Sequence, residues 1–128
     1  MADRASIQKT IDSYLAAFTA NDKEAWLDCF ADDAWIEDPV GTPRRTGRDA
    51  IAAFWDDAHR VPDSIELRAM GLTVIVDSEA AFTMQARPNL GGETYAIDII
   101  DVMTFNEDAK ITTMRAFFDP AAMRPVSD

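Results

Sequence analysis

Tyr95-Ala96-Ile97-Asp98-Ile99-Ile100-Asp101-Val102-Met103-Thr104-Phe105 is rich in β-branched and aromatic residues and long enough for a full strand. Alternate side chains of a strand share a face. The odd positions therefore gather Tyr95, Ile97, Ile99, Asp101, Met103 and Phe105, a core stripe interrupted once by an acid, while Asp98 points to the opposite face. An ionised carboxylate in that stripe carries a large desolvation cost. It either finds a strong partner or keeps its proton at neutral pH, and then it is a hydrogen-bond donor. Pairing with an arginine or capping a turn is the competing explanation, because shifted acids mark sites only statistically.

Outward from this strand, the period of two continues. Ala80, Phe82, Met84 and Ala86 alternate with Ala81, Thr83, Gln85 and Arg87, which predicts a strand with one buried and one wetter face. Before it, Ile65, Leu67 and Ala69 share a face, and after Gly71 the apolar parity passes to Leu72, Val74 and Val76, as a one-residue bulge would produce. The last strand, Ile111 to Phe118, sets Met114, Ala116 and Phe118 on one side. Turns at Asp77-Ser78, Asn89 to Gly92 and Asn106 to Asp108 separate these strands.

The N-terminal third has helical spacing. Ile7, Ile11, Tyr14, Leu15 and Phe18 form an apolar stripe from about Arg4 to Ala20, and Asn21-Asp22 offers a stop and a new N-cap. A short second helix is expected to carry Trp26, Cys29 and Phe30, after which Asp32-Asp33 breaks the pattern. Ala34 to Asp38 reads as a short strand closed by Pro39, and 39–45 as a loop. Thr46 with Asp49 has capping-box character ahead of Ile51, Phe54, Trp55 and Ala58, a third helix ending near His59-Arg60. Three helices followed by four long strands is an α+β order: a curved antiparallel sheet wrapped around three N-terminal helices, a cone with an apolar pocket. At 128 residues the expectation is a single domain, 1–128.

Composition narrows the partners. Hydrophobic residues make up 48 %, and 12 basic against 23 acidic residues give a net charge of -11 with no clustered arginine stripe, which argues against nucleic acid and anionic membrane. Lone Cys29 has no intrachain disulfide partner and suits a reducing, cytoplasmic setting, in keeping with an N-terminus that has neither a signal-peptide pattern nor a membrane span. His59 reads as a surface helix histidine. Without a Cys/His cluster, no metal is expected.

The inward faces predict a cavity lining of Phe18, Phe54, Phe82, Met84, Ile99, Met114 and Phe118, side chains that equally fill plain cores. Polar interruptions distinguish the two. Tyr14 lies on the first helix's apolar stripe with a hydroxyl that needs a partner. Asp38 shares the face of Ala34 and Ile36, although an Asp before proline also suits a turn. A phenol and a protonated acid are two neutral donors able to stabilise an enolate. A nearby ionised carboxylate can remove and return a carbon-bound proton. Together they describe allylic isomerisation of a ketone.

The run Phe30-Ala31-Asp32-Asp33-Ala34-Trp35-Ile36-Glu37-Asp38-Pro39-Val40-Gly41, the segment Gly47 to Phe54 and the stretch Ile97 to Met103 resemble the steroid Δ5-3-ketosteroid isomerases, in the cone-shaped NTF2-like superfamily. The resemblance spans nearly the whole chain. It implies a base at Asp38, an oxyanion tyrosine at Tyr14, a neutral acid at Asp101, and a substrate wall of Phe18, Phe54, Trp55, Phe82, Met84, Ile99, Met114 and Phe118. It also implies a small hydrophobic steroid substrate, no cofactor, and a homodimer formed through the outer sheet face. Trp55 and Phe30 depart from the family pattern of hydroxyl-bearing residues supporting the oxyanion tyrosine, which bears on rate and substrate preference more than on reaction type. Related cone-fold activities, epoxide hydrolase and polyketide cyclase, and a non-catalytic ligand-binding module are the alternatives. Epoxide opening in that fold relies on an Asp-Arg-Asp set, and Arg115, by its parity, is expected outside the pocket.

Overall fold

Helix α1 (Arg4–Thr19) starts where Asp3 accepts a hydrogen bond from the Ser6 N–H, and it buries Ile7, Ile11, Tyr14, Ala17 and Phe18 along one stripe. The computed structural model describes residues 1–127. Helix α2 (Lys23–Leu27) is capped by Asp22 and carries Trp26. It ends sooner than its spacing suggested: Cys29 lies beyond it, and Phe30 already opens strand β1 (Phe30–Glu37). Asp32 and Asp33 do not break the strand. They occupy an irregular stretch between the paired residues Phe30 and Trp35, where their exposed carboxylates stay in water. After β2 (Arg45–Thr46), helix α3 (Arg48–Arg60) begins at Gly47, whose φ of 91° and lack of a side-chain cap replace the expected Thr46 capping box. His59 is not a free surface residue. Its ring stacks on Trp55 at 3.9 Å, and its Nδ1 lies 2.9 Å from the Trp55 carbonyl.

Strands β3 (Ser64–Val76), β4 (Glu79–Leu90), β5 (Glu93–Phe105), β6 (Ile111–Phe117) and β7 (Arg124–Pro125) complete the chain, with a short 3₁₀ turn at Pro120–Ala122. The main sheet order is β2-β1-β6-β5-β4-β3, and β7 pairs with the start of β5. Neighbours run antiparallel except β1 and β6, which are parallel and join the helical third of the chain to the hairpin third. Helix α1 packs on β3 and α2, and α3 on β1, β2 and α2, so the curved sheet holds all three helices.

The bend in β3 differs from the expected one. Ala69 pairs with Met84 and Thr73 with Phe82, so two extra residues, not one, are inserted, and the inward parity of Leu67 and Ala69 continues into Thr73 and Ile75. Gly71 supplies a φ of 93°, and the Thr83 hydroxyl donates to the Met70 carbonyl at 2.5 Å while accepting from the Leu72 N–H at 3.3 Å. Leu72, Val74 and Val76 are thereby left exposed on the outer face, beside Ile100 and Phe117. On β4 the outer residues Gln85 and Arg87 are also buried. Gln85 bridges Arg87 and Asp98.

Candidate active site

Tyr14 and Asp38 line one apolar cavity, and Asp101, near enough to both to interact with them, is fully buried and not part of the lining. Asp101, midway along β5, has Phe82 of β4 on one side and Ala116 of β6 on the other, all directed inward. Asp38 follows β1 directly, and the Val40 N–H donates to the Ala116 carbonyl at 2.8 Å. That bond fixes the segment carrying Asp38 alongside the strand next to Asp101. Tyr14 reaches in from α1, with its ring set edge-on to Phe30 at 6.3 Å and near Trp26 at 5.9 Å. Neither ring offers a hydroxyl to support the phenol.

Asp101 is 0 % exposed, and both carboxyl oxygens lack a partner of full hydrogen-bond geometry among the described residues. Burial first, and the charge of Asp38 second, push its pKa well above the carboxylate range, with the Tyr14 hydroxyl acting in the opposite direction. These surroundings favour the protonated, hydrogen-bond-donating form of Asp101. Burial, then the charges of Asp101 and Asp38, drives Tyr14 well above the ordinary phenol value, so it too remains a donor. Asp38 keeps some exposed surface because it opens into the cavity, yet the atoms packed around its carboxyl push its pKa up to about 7, and Arg45 pulls the other way. Two neutral donors and one group that ionises near neutrality result.

The cavity has a volume of about 240 Å³ and is lined by Tyr14 and Asp38 together with Phe18, Phe54, Met84, Ile99 and Phe118, all of them expected. Trp55, Phe82 and Met114 were expected on the same wall and lie behind it in the core. Alternation identifies the face of a strand but not the depth at which a side chain comes to rest. The wall also includes Ala58, Ile65, Leu67, Ala86, Pro88 and Ile97. Strand parity signals Ile65, Leu67, Ala86 and Ile97, and the alternation Ala80, Phe82, Met84, Ala86 extends to Pro88. A larger depression of about 500 Å³, whose lining includes Ser6, Lys9, Asp28 and Lys110, is more polar than this cavity and has none of the three groups. Arg115 pairs with Glu37 at 3.2 Å on the outer side, as its parity indicates, and Asp98 meets Arg124 there. No group of three or more metal-ligating side chains occurs among the described residues. Cys29, buried with its pKa pushed up to about 11, has the character of a packing residue and not of a nucleophile.

Residues 11–114 match the SnoaL-like domain family. A steroid Δ-isomerase of Nocardioides simplex is 36 % identical over 119 residues, covering 93 % of this chain and 94 % of that protein. The chain belongs to the SnoaL-like, ketosteroid isomerase family. In fold, this family member is similar to RV0760c of Mycobacterium tuberculosis, with a TM-score of 0.83 and 23 % identity over 98 % of this chain and 100 % of that one. The epoxide hydrolase/cyclase-like enzyme SalBIII, which takes part in pyran ring formation in the polyether salinomycin, has a TM-score of 0.87 and 22 % identity over the same shares. These two likenesses concern the cone-shaped scaffold.

Proposed function

We propose that the protein is a steroid Δ-isomerase that moves the double bond of a 3-oxo-Δ5 steroid to Δ4 by intramolecular proton transfer. Asp38 removes the proton from C4, and the dienolate oxygen accepts hydrogen bonds from the Tyr14 hydroxyl and the protonated Asp101 carboxyl. Protonated Asp38 then returns the proton to C6. The negative charge resides on an oxygen held by fixed donors, in surroundings with little water to screen them. The observation that carries this reading is Asp101, a wholly buried acid whose oxygens lack a full protein hydrogen bond, beside a phenol, Tyr14, that itself lines the apolar cavity. The cavity lies just below the usual range of roughly 300–1,000 Å³ for small-ligand sites. A flat ligand with its ketone at the polar end therefore extends through the mouth.

The test is direct: 5-androstene-3,17-dione is mixed with the purified protein and the conjugated enone is followed in the ultraviolet. Absorbance should rise catalytically with no added metal or cofactor. A flat trace rejects the reading. The epoxide-opening alternative requires an arginine between two acids in the cavity, whereas Arg115 is engaged by Glu37 outside it and no arginine is among the described residues that line it.

The same reading includes a homodimer in the cytosol. Leu72, Val74 and Val76 of β3, Ile100 of β5 and Phe117 of β6 leave a band of apolar side chains uncovered on one sheet face, which a second copy of the chain would bury.

A further inference from the structure

Strand β2 is only two residues long, and its register gives it a part in the site. Arg45 pairs directly with Ile36. Side chains opposite one another on paired strands share a face, and Asp38, two residues after Ile36, continues the same parity. Arg45 therefore reaches along the inner side of β1 toward Asp38. Its guanidinium stands 5.5 Å above the ring of Phe54, a cavity-lining residue, and donates to Asp57 at 2.9 Å. Asp57 is held in turn by Arg60. An ion pair with side chains 37 % and 42 % exposed contributes little to stability.

We infer that Arg45, clamped by Asp57 over the Phe54 ring, is a positioning residue whose positive charge sets the pH at which Asp38 becomes an ionised base. The inference rests on the reading of Asp38 as the base. The other groups around Asp38 act against ionisation or are neutral. Asp101 on β5 contributes negative charge whenever it ionises, and Tyr14 on α1 is a neutral phenol. β6 turns Met114 and Ala116 inward, and α3 presents Phe54 and Ala58 to the cavity. Arg115 and Arg44 pair with Glu37 on the outer face, and Arg45, its charge partly offset by Asp57, is the cation on the inner side that favours the carboxylate.

The experiment titrates Asp38 itself, through its carboxyl carbon-13 resonance, in the unmodified protein and in Arg45→Met, Arg45→Gln and Arg45→Lys, alongside pH profiles of kcat/KM for the Δ5 ketone. Loss of the cation should raise the Asp38 midpoint by about one pH unit in the Met and Gln variants. On the acid limb kcat/KM then falls about tenfold, the change that one unit imposes, while the alkaline plateau is retained. Lysine should return the midpoint close to its original position. A midpoint unmoved in both neutral variants, or displaced equally by lysine, overturns the inference. If the unmodified protein forms no enone, the reading of the reaction fails, whereas the carbon-13 titration still decides the role of Arg45.

Discussion

Asp101 lies between Phe82 and Ala116 without solvent contact, whereas Asp38 opens into the cavity and feels Arg45. At pH 7 Asp38 is therefore about midway through its titration, whereas Asp101 is driven toward its protonated form, and in the proposed reaction they serve as base and donor. Replacing Asp38 by Asn should lower kcat by roughly 10²–10⁴-fold, the range expected for a positioned base, with binding of a planar phenolic steroid preserved. Stopped-flow turnover and fluorescence titration of the analogue separate the two effects. Retention of most activity would show that another group removes the proton. Tyr14→Phe should cost about 10²–10³-fold in kcat, as for loss of one oxyanion donor, with little change in ligand affinity. The pH profile follows from Asp38. With a pKa of about 7, kcat/KM should climb through pH 7 to a plateau, because the base works only when deprotonated. Asp101 and Tyr14 were legible in the sequence because each interrupts a long apolar stripe. Arg45 was not, since a two-residue edge strand has no period to read.

The elements show where local patterns suffice and where tertiary pairing overrides them. Strand β5 follows its alternation from Ile97 to Phe105, and α3 ends at Arg60, where His59-Arg60 before Pro62 signals a stop. Strand β3 does not follow its apolar pattern. The sequence Leu72, Val74, Val76 suggests that these residues turn inward after Gly71, but the two-residue insertion held by Thr83 turns Thr73 and Ile75 inward instead. Hydrophobicity identifies what is to be covered without saying whether its own chain or another covers it. In the proposed homodimer a second copy covers the apolar outer side of this strand. Leu72→Glu, 67 % exposed in the isolated chain, should therefore leave the fold intact and shift the species seen by light scattering from about twice 14.2 kDa toward 14.2 kDa. An unchanged mass would rule out this face as the interface. Trp55 makes the complementary point: its position on the α3 stripe was readable, but its stacking on His59 behind Phe18 depends on how three helices meet.

For the molecule as a whole, a site built from unfavourably buried acids has a consequence for stability. In the unfolded chain both carboxyls titrate near 4. In the folded protein Asp38 holds its proton to about pH 7, and Asp101 holds its own well above the ordinary range. Between about pH 4 and 7 the folded state thus binds more protons than the unfolded one, and stability must decline as pH rises, the reverse of a salt-bridged carboxylate. Exposed Asp57 and Asp98 have lowered pKa values, so their contribution is present above pH 4 and lost only as pH falls below it. They leave the neutral range to the two site acids. Net charge of -11 adds self-repulsion in the same direction. Thermal unfolding between pH 5 and 8 should accordingly show the midpoint dropping by several degrees, a loss on the order of a few kcal/mol. Asp38→Asn and Asp101→Asn, which cannot ionise, should each flatten the profile and be more stable than the unmodified protein at pH 8 while losing activity. Profiles parallel to that of the unmodified protein would mean that neither acid is held protonated by the fold, and the neutral donor at position 101 would go with it.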